Sequence, residues 1–157
     1  MIPLTEIRDL EVFEAVPDSV VRIICADAEA LEFHAGDVIV HQHDEARSLY
    51  VLVSGTVEFL IRVEGVDDLV VGMTSQRGAV LGWSIVREPH RYTATIRCTE
   101  PCRVFRIARP AIAQLVASDP RAGYAILQAI AVAVAERLQD TLGLLAATPK
   151  TGPSAQP

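Results

Sequence analysis

Positive charge is scarce in this chain of 157 residues: 14 Lys and Arg stand against 20 Asp and Glu, for a formal net charge of −6. No two basic residues are adjacent. Duplex binding relies on clustered Lys and Arg to displace counterions, so the composition argues against a nucleic-acid surface and, for the same reason, against an anionic membrane. Long hydrophobic runs are also missing. The longest apolar tract, Ala122 to Ala135, is interrupted by Gln128 and is too short to span a bilayer. No N-terminal segment has the order of a secretory signal, and the expected location is cytoplasmic. Cysteine is limited to Cys25, Cys98 and Cys102. Pro101 lies between the last two, no further partner completes a zinc set, and buried free thiols in a reducing compartment are expected. A Gly-rich phosphate loop with Lys is absent, and Ser84 is no nucleophile elbow, because the residue two positions later is Val86. Cys25 sits among Ile23, Ile24 and Ala26, where burial would raise its pKa and silence it. No catalytic residue is identified, and no enzyme is expected.

What is present is ordinary globular composition, 50% apolar and 22% charged, enough for one domain with a sizeable core. Leu4 to Val16 and Asp18 to Ala26 read as two short helices split by Pro17. From Ala30 to Ile107 the periodicity is mostly two, with turns at Ala35-Gly36, Asp44 to Arg47, Ser54-Gly55, Gly65 to Asp68 and Arg77-Gly78. Leu49, Val51 and Val53 alternate with Tyr50, Leu52 and Ser54, which predicts a strand with one face in the core. Pro110 opens a short helix to about Ser118, and Asp119-Pro120 opens a long one to about Leu145. The domain is expected over residues 1–146; the remainder, 147–157, is polar and Pro-rich and is expected to be disordered.

The long helix carries two stripes. Tyr124, Leu127, Ala131, Val134, Leu138, Thr141 and Leu145 follow spacings of 3, 4, 3, 4, 3 and 4, a seam suited to pairing with a second helix. Ile126, Ile130 and Ala133 lie on a neighbouring face that can dock on the strands. A homodimer through Tyr124, Leu127, Ala131, Val134, Leu138 and Thr141 is expected.

The strand, corner, strand order from Phe33-His34-Ala35-Gly36-Asp37-Val38-Ile39-Val40 through Ser48 to Val57 resembles the cyclic-nucleotide-binding fold of the catabolite-activator (CRP/FNR) superfamily and of kinase regulatory subunits. The resemblance covers roughly Leu10 to Leu142. It implies a mainly β chain with flanking helices: an antiparallel β-roll (a jelly-roll-like double-stranded β-helix) with N-terminal helices and a long C-terminal dimerisation helix. It also implies a regulatory module that binds a small-molecule ligand. In the transcription factors of this superfamily a helix-turn-helix follows the dimer helix. Too few residues follow it here for such a unit, so DNA binding is not expected, and a signal would pass to a partner protein or another subunit.

The family's phosphate-binding cassette runs approximately Phe-Gly-Glu-x-Ala-Leu, then a loop, then Arg-x-Ala. A short helix offers N–H groups to the cyclic phosphate, the Arg neutralises it, and the Glu takes the ribose 2′-hydroxyl. Here the corresponding segments are Leu81-Gly82-Trp83-Ser84-Ile85-Val86 and, counting back from Ala94, Tyr92-Thr93-Ala94. Trp83 stands in place of the Glu and Tyr92 in place of the Arg. Arg91 is one residue too early, and strand alternation turns it outward with Thr93. Leu81, Gly82, Trp83, Ser84, Arg91, Tyr92 and Thr93 are the candidate ligand-binding residues. With Glu and Arg missing, no cofactor is assigned; cyclic AMP or GMP lacks its usual partners. The two rings either favour a flatter, more apolar ligand or simply fill the site.

Two other readings compete. One is a ligand-free interaction or assembly domain. The other begins at His41-Gln42-His43, where alternation would put both imidazoles on one strand face, as in metal-binding cupins with their similar β-roll. Gly36, Glu45 and Gly55 supply the right residue types there at the wrong spacing, and no metal ligand set is assigned.

Overall fold

The structure is a computed structural model describing residues 2–14, 16–65 and 67–147. It opens with α1 (Leu4–Arg8), a 3₁₀ turn (Glu11–Phe13) and α2 (Asp18–Asp27). The expected helix from Leu4 to Val16 is therefore interrupted, and Arg8 is the reason. Its Nη1 donates to the carbonyls of Phe13 and Val16, both at 2.7 Å, while Nε donates to Asp18 at 3.0 Å. The chain wraps around one guanidinium instead of continuing its own ladder, a side-chain contact that local periodicity does not encode.

Eight strands follow: β1 (Glu29–Phe33), β2 (Val38–Val40), β3 (Ser48–Ser54), β4 (Val57–Ile61), β5 (Leu69–Thr74), β6 (Val80–Leu81), β7 (Thr95–Cys98) and β8 (Cys102–Ala108). They form two antiparallel four-stranded sheets, ordered β1-β8-β3-β6 and β2-β7-β4-β5, rather than a closed barrel. β7 and β8 are consecutive but lie in different sheets, so the turn between them crosses from one layer to the other. Cys98 and Cys102 flank that turn as free, buried thiols, as Cys25 is in α2. Glu58 on β4 pairs with Arg97 directly opposite on β7, at 2.7 Å.

β3 departs from the one-sided strand that its alternation suggests: every residue from Ser48 to Val53 is buried. It lies between β8 and β6, and the 3₁₀ turn of Trp83–Val86 that follows β6 packs against it.

At Gly55 (φ +93°) a Cβ would sit 2.5 Å from the Pro101 carbonyl oxygen and 2.6 Å from Cys102 Sγ. The β3–β4 corner thus presses against the β7–β8 turn with no room for a side chain. Gly55→Ala should cost about 2 kcal/mol or more, combining left-handed strain with a backbone clash, and lower the urea midpoint accordingly.

α3 (Arg109–Ser118) has Pro110 in its first turn, and α4 (Pro120–Ala147) is capped by Asp119, whose Oδ1 accepts from the amides of Arg121 and Ala122. Ala122, Ile126 and Ile130 are buried toward the domain, with Ala133 partly buried beside them. Tyr124, Leu127 and Leu138 are 69%, 47% and 58% exposed. α4 therefore has one apolar face inside the domain and another facing out. The tail expected to be disordered falls, from residue 148 on, outside the described residues. Among the described residues, no helix is long and apolar enough to cross a membrane.

Candidate ligand-binding cassette

The cassette begins at β6, which pairs with β3 through Tyr50 opposite Leu81 and Val51 opposite Val80. Gly82 then adopts a left-handed conformation (φ +74°, ψ +30°) and leads into a 3₁₀ turn, Trp83–Val86. A Cβ on Gly82 would lie 3.1 Å from both the Ser48 carbonyl oxygen and Tyr92 Cε1, and 3.5 Å from Tyr50 Cδ2. Gly82, with no side chain of its own, leaves room here for an aromatic ring.

That ring is Tyr92, 5% exposed. Its hydroxyl donates to the Ser48 carbonyl at 2.9 Å and accepts from the Ser48 amide at 3.2 Å. Its own backbone is tied to the β2–β3 turn, accepting from His43 N and donating to Asp44 O. Burial, reinforced by the neighbouring Tyr50 hydroxyl, pushes the Tyr92 phenol up to about 12, against the pull of the Ser48 and Arg47 backbone bonds. Tyr92 is thus a neutral side chain with its polar end satisfied internally.

The other candidates are dispersed around it. Leu81 and Ser84 are buried, and Trp83 is partly buried against the core. Arg91 and Thr93 are exposed. The Arg91 guanidinium donates to the His43 carbonyl at 2.7 Å on the surface, and the Arg91 backbone makes only an isolated bridge to Glu45 ahead of β7, so the strand alternation expected for residues 91–94 does not apply. Gly82 and Tyr92 are therefore brought together, joined by Ser48 and Tyr50, which sequence reading did not select. Tyr50 carried a faint signal in its position on a strand beside the cassette. Ser48 carried none, because it contributes backbone atoms.

The paired-imidazole reading is corrected by the backbone. Residues 41–44 form a turn, with Asp44 N donating to His41 O, and His43 has φ +72°. The two histidines do not share a strand face. Among the described residues, no group of three or more His, Cys, Asp and Glu side chains is placed to hold a metal ion.

Two facing antiparallel sheets, a glycine-led 3₁₀ turn between β6 and β7, and a long terminal helix define a cyclic-nucleotide-binding-type regulatory fold. The family model for the cyclic nucleotide-binding domain matches residues 30–119, and the chain belongs to that family. The cAMP-activated global transcriptional regulator CRP of Escherichia coli is 27% identical over 128 residues, 80% of this chain and 59% of that protein. The chain thus spans about three-fifths of the length of the Escherichia coli CRP. Potassium channel KAT1 of Arabidopsis thaliana is 28% identical over 110 residues, 68% of this chain and 15% of the channel. Among solved structures, a candidate cyclic nucleotide-binding protein of Geobacter metallireducens GS-15 superposes with a TM-score of 0.78 at 27% identity, covering 88% of this chain and 99% of that one. The c-di-GMP-responsive global regulator CLP of Xanthomonas campestris shares the fold, with a TM-score of 0.72 at 22% identity over 83% of this chain and 63% of CLP.

Proposed function

We propose that this domain is a non-enzymatic regulatory module that works as a homodimer through α4, with a cassette closed to cyclic nucleotides by its own side chains. The observation that carries the reading is Tyr92, whose ring lies against Gly82 and whose hydroxyl is satisfied in both directions by Ser48. A cyclic phosphate entering here would have to displace a buried aromatic ring, and Arg91, next to it in the chain, is engaged with the His43 carbonyl. A buried anion without a counter-charge is costly by several kcal/mol. The dimer part rests on the outward row of Tyr124, Leu127 and Leu138 on α4. The domain spans residues 1–146 in this reading, acts in the cytoplasm, and passes its signal through the dimer to a partner protein.

CRP is cAMP-activated and CLP is c-di-GMP-responsive, so relatives on this scaffold answer to different nucleotides. Isothermal titration with cyclic AMP, cyclic GMP and c-di-GMP should give no saturable heat at millimolar ligand. Micromolar binding of any of the three would overturn the closed-cassette reading.

A further inference from the structure

Around Glu45 the balance of charge is the reverse of that in the chain as a whole. Elsewhere among the described residues, each Arg–carboxylate ion pair joins one guanidinium to one carboxylate, as in Arg97 with Glu58 or Arg106 with Glu29. Glu45 serves two. Arg47 donates to it through Nε at 2.9 Å, with Nη2 at 2.8 Å from the same oxygen, and Arg109 Nη2 lies 3.7 Å from its other oxygen. A third guanidinium stands beside them. Arg91 is opposite Glu45 in an isolated bridge and donates to the His43 carbonyl at 2.7 Å. Main-chain bonds fix the grouping: Ala46 N donates to His90 O at 2.7 Å, and Arg109 N donates to Arg47 O at 2.8 Å. The β2–β3 turn, the loop before β7 and the start of α3 are thereby tied together.

Three guanidinium groups thus face one carboxylate, in a chain whose formal net charge is −6. The Arg47 hydrogen bond and charge, then the charges of Arg109 and Arg91, hold the Glu45 carboxyl below its ordinary range. Asp44 and Glu88, exposed in the same loops, do not enter that balance. Arg47 and Arg91 are exposed, and Arg109 is partly buried. Each guanidinium carries five N–H donors, more than these contacts use. One carboxylate cannot satisfy them.

We propose that this face docks an acidic segment of a protein partner in extended conformation, its carboxylates taking up the Arg47 and Arg91 donors that Glu45 leaves over. Guanidinium and carboxylate match as paired donors and acceptors, and grouped arginines are a general means of reading acidic motifs. Arg47 lies two residues from Glu45 and Arg91 lies across from it, so their Cα atoms stand within about 9 Å, in reach of alternate side chains on an extended chain. A single small anion is weakly held by guanidinium groups open to water, whereas carboxylates joined in one chain bind together. A long nucleic acid would run on to a surface of net negative charge. The inference goes beyond the regulatory reading above, and needs neither the closed cassette nor the α4 seam.

The probe is a fluorescein-labelled octapeptide of alternating Glu and Ser, followed by anisotropy. Controls are the matching Gln–Ser and Lys–Ser peptides, inorganic phosphate and a single-stranded oligonucleotide of equal charge. The acidic peptide should bind saturably and weaken as NaCl rises from about 20 to about 200 mM, because the pairs are exposed. Arg47→Gln and Arg91→Gln should each weaken it about threefold and together about tenfold. Arg121→Gln, an equal loss of charge at an exposed position on α4, should leave it within about twofold of wild type. Glu45→Gln removes the built-in competitor and should tighten binding about threefold, a gain that a merely structural Glu45 does not give. The melting midpoint checks folding, and if Arg91→Gln disturbs its turn, Arg47→Gln and Glu45→Gln still decide. No binding of the acidic peptide, equal binding of the Gln–Ser peptide, equal losses for Arg47→Gln and Arg121→Gln, or no gain from Glu45→Gln would overturn the proposal. So would tighter binding of the oligonucleotide, or full displacement of the peptide by phosphate at equal concentration.

Discussion

Leu138→Asp is expected to halve the solution mass of this protein while leaving its fold intact. Leu138 is 58% exposed on the single chain, so a carboxylate there is hydrated in the monomer and disturbs nothing. In the proposed dimer it occupies a seam position, where a twofold-related copy would bring a second carboxylate toward it. Burying such a pair without counter-charge costs about 3–5 kcal/mol, a weakening of about 100-fold or more in Kd. Static light scattering across a dilution series measures it, with near-UV circular dichroism as the control. Wild-type and variant protein of equal mass at every concentration would refute the seam. The choice of residue matters: Ile126 or Ile130, on the inner face, would unfold the domain and give no information about association.

The two faces of α4 show what a sequence can carry. A 3.6-residue period assigns Ile126 and Ile130 to one side and Tyr124, Leu127 and Leu138 to another, because helical geometry repeats locally. The corners at Gly36, Gly55 and Gly78 are legible for a similar reason: each has positive φ, and glycine is the residue that adopts it without cost. The features that escaped are set by particular side-chain and sheet partners that periodicity does not encode. The interruption of the first helix depends on Arg8 reaching Phe13, Val16 and Asp18. The full burial of β3 depends on β8 and β6, its neighbours in the sheet, and on the 3₁₀ turn after β6.

The cassette falls between these cases. That Tyr92 replaces an expected cation is visible by counting from Ala94. What the phenol does with its hydroxyl is not, because its partner is the main chain of Ser48, 44 residues away. Sequence could name the substitution, and only the fold could show that the ring closes on Gly82.

Tyr92→Ala should therefore be among the most destabilising single substitutions in the domain. It removes a ring that is 95% buried between Gly82, Tyr50 and Ser48, and leaves a cavity with two unbonded backbone groups at its end. The aromatic truncation costs about 3–5 kcal/mol. Tyr92→Phe keeps the ring and should lose about 1–3 kcal/mol through Ser48 alone. The two variants also separate by pH. The phenol's folded value, about 12, lies above its ordinary value of 10.0, so its contribution is complete below pH 10 and is lost as pH rises through 12. A rise of about two units corresponds to roughly 2–3 kcal/mol. Cys98, pushed up to about 12 by burial and then by Cys102, adds a loss of the same sign that begins near pH 9. Urea unfolding from pH 8 to 12 should show wild type losing stability through Tyr92 and the buried thiols Cys98 and Cys25, and Tyr92→Phe through the thiols alone. Parallel curves for the two proteins above pH 10 would mean that the Tyr92 hydroxyl is solvated, and the closed-cassette reading would fall with it.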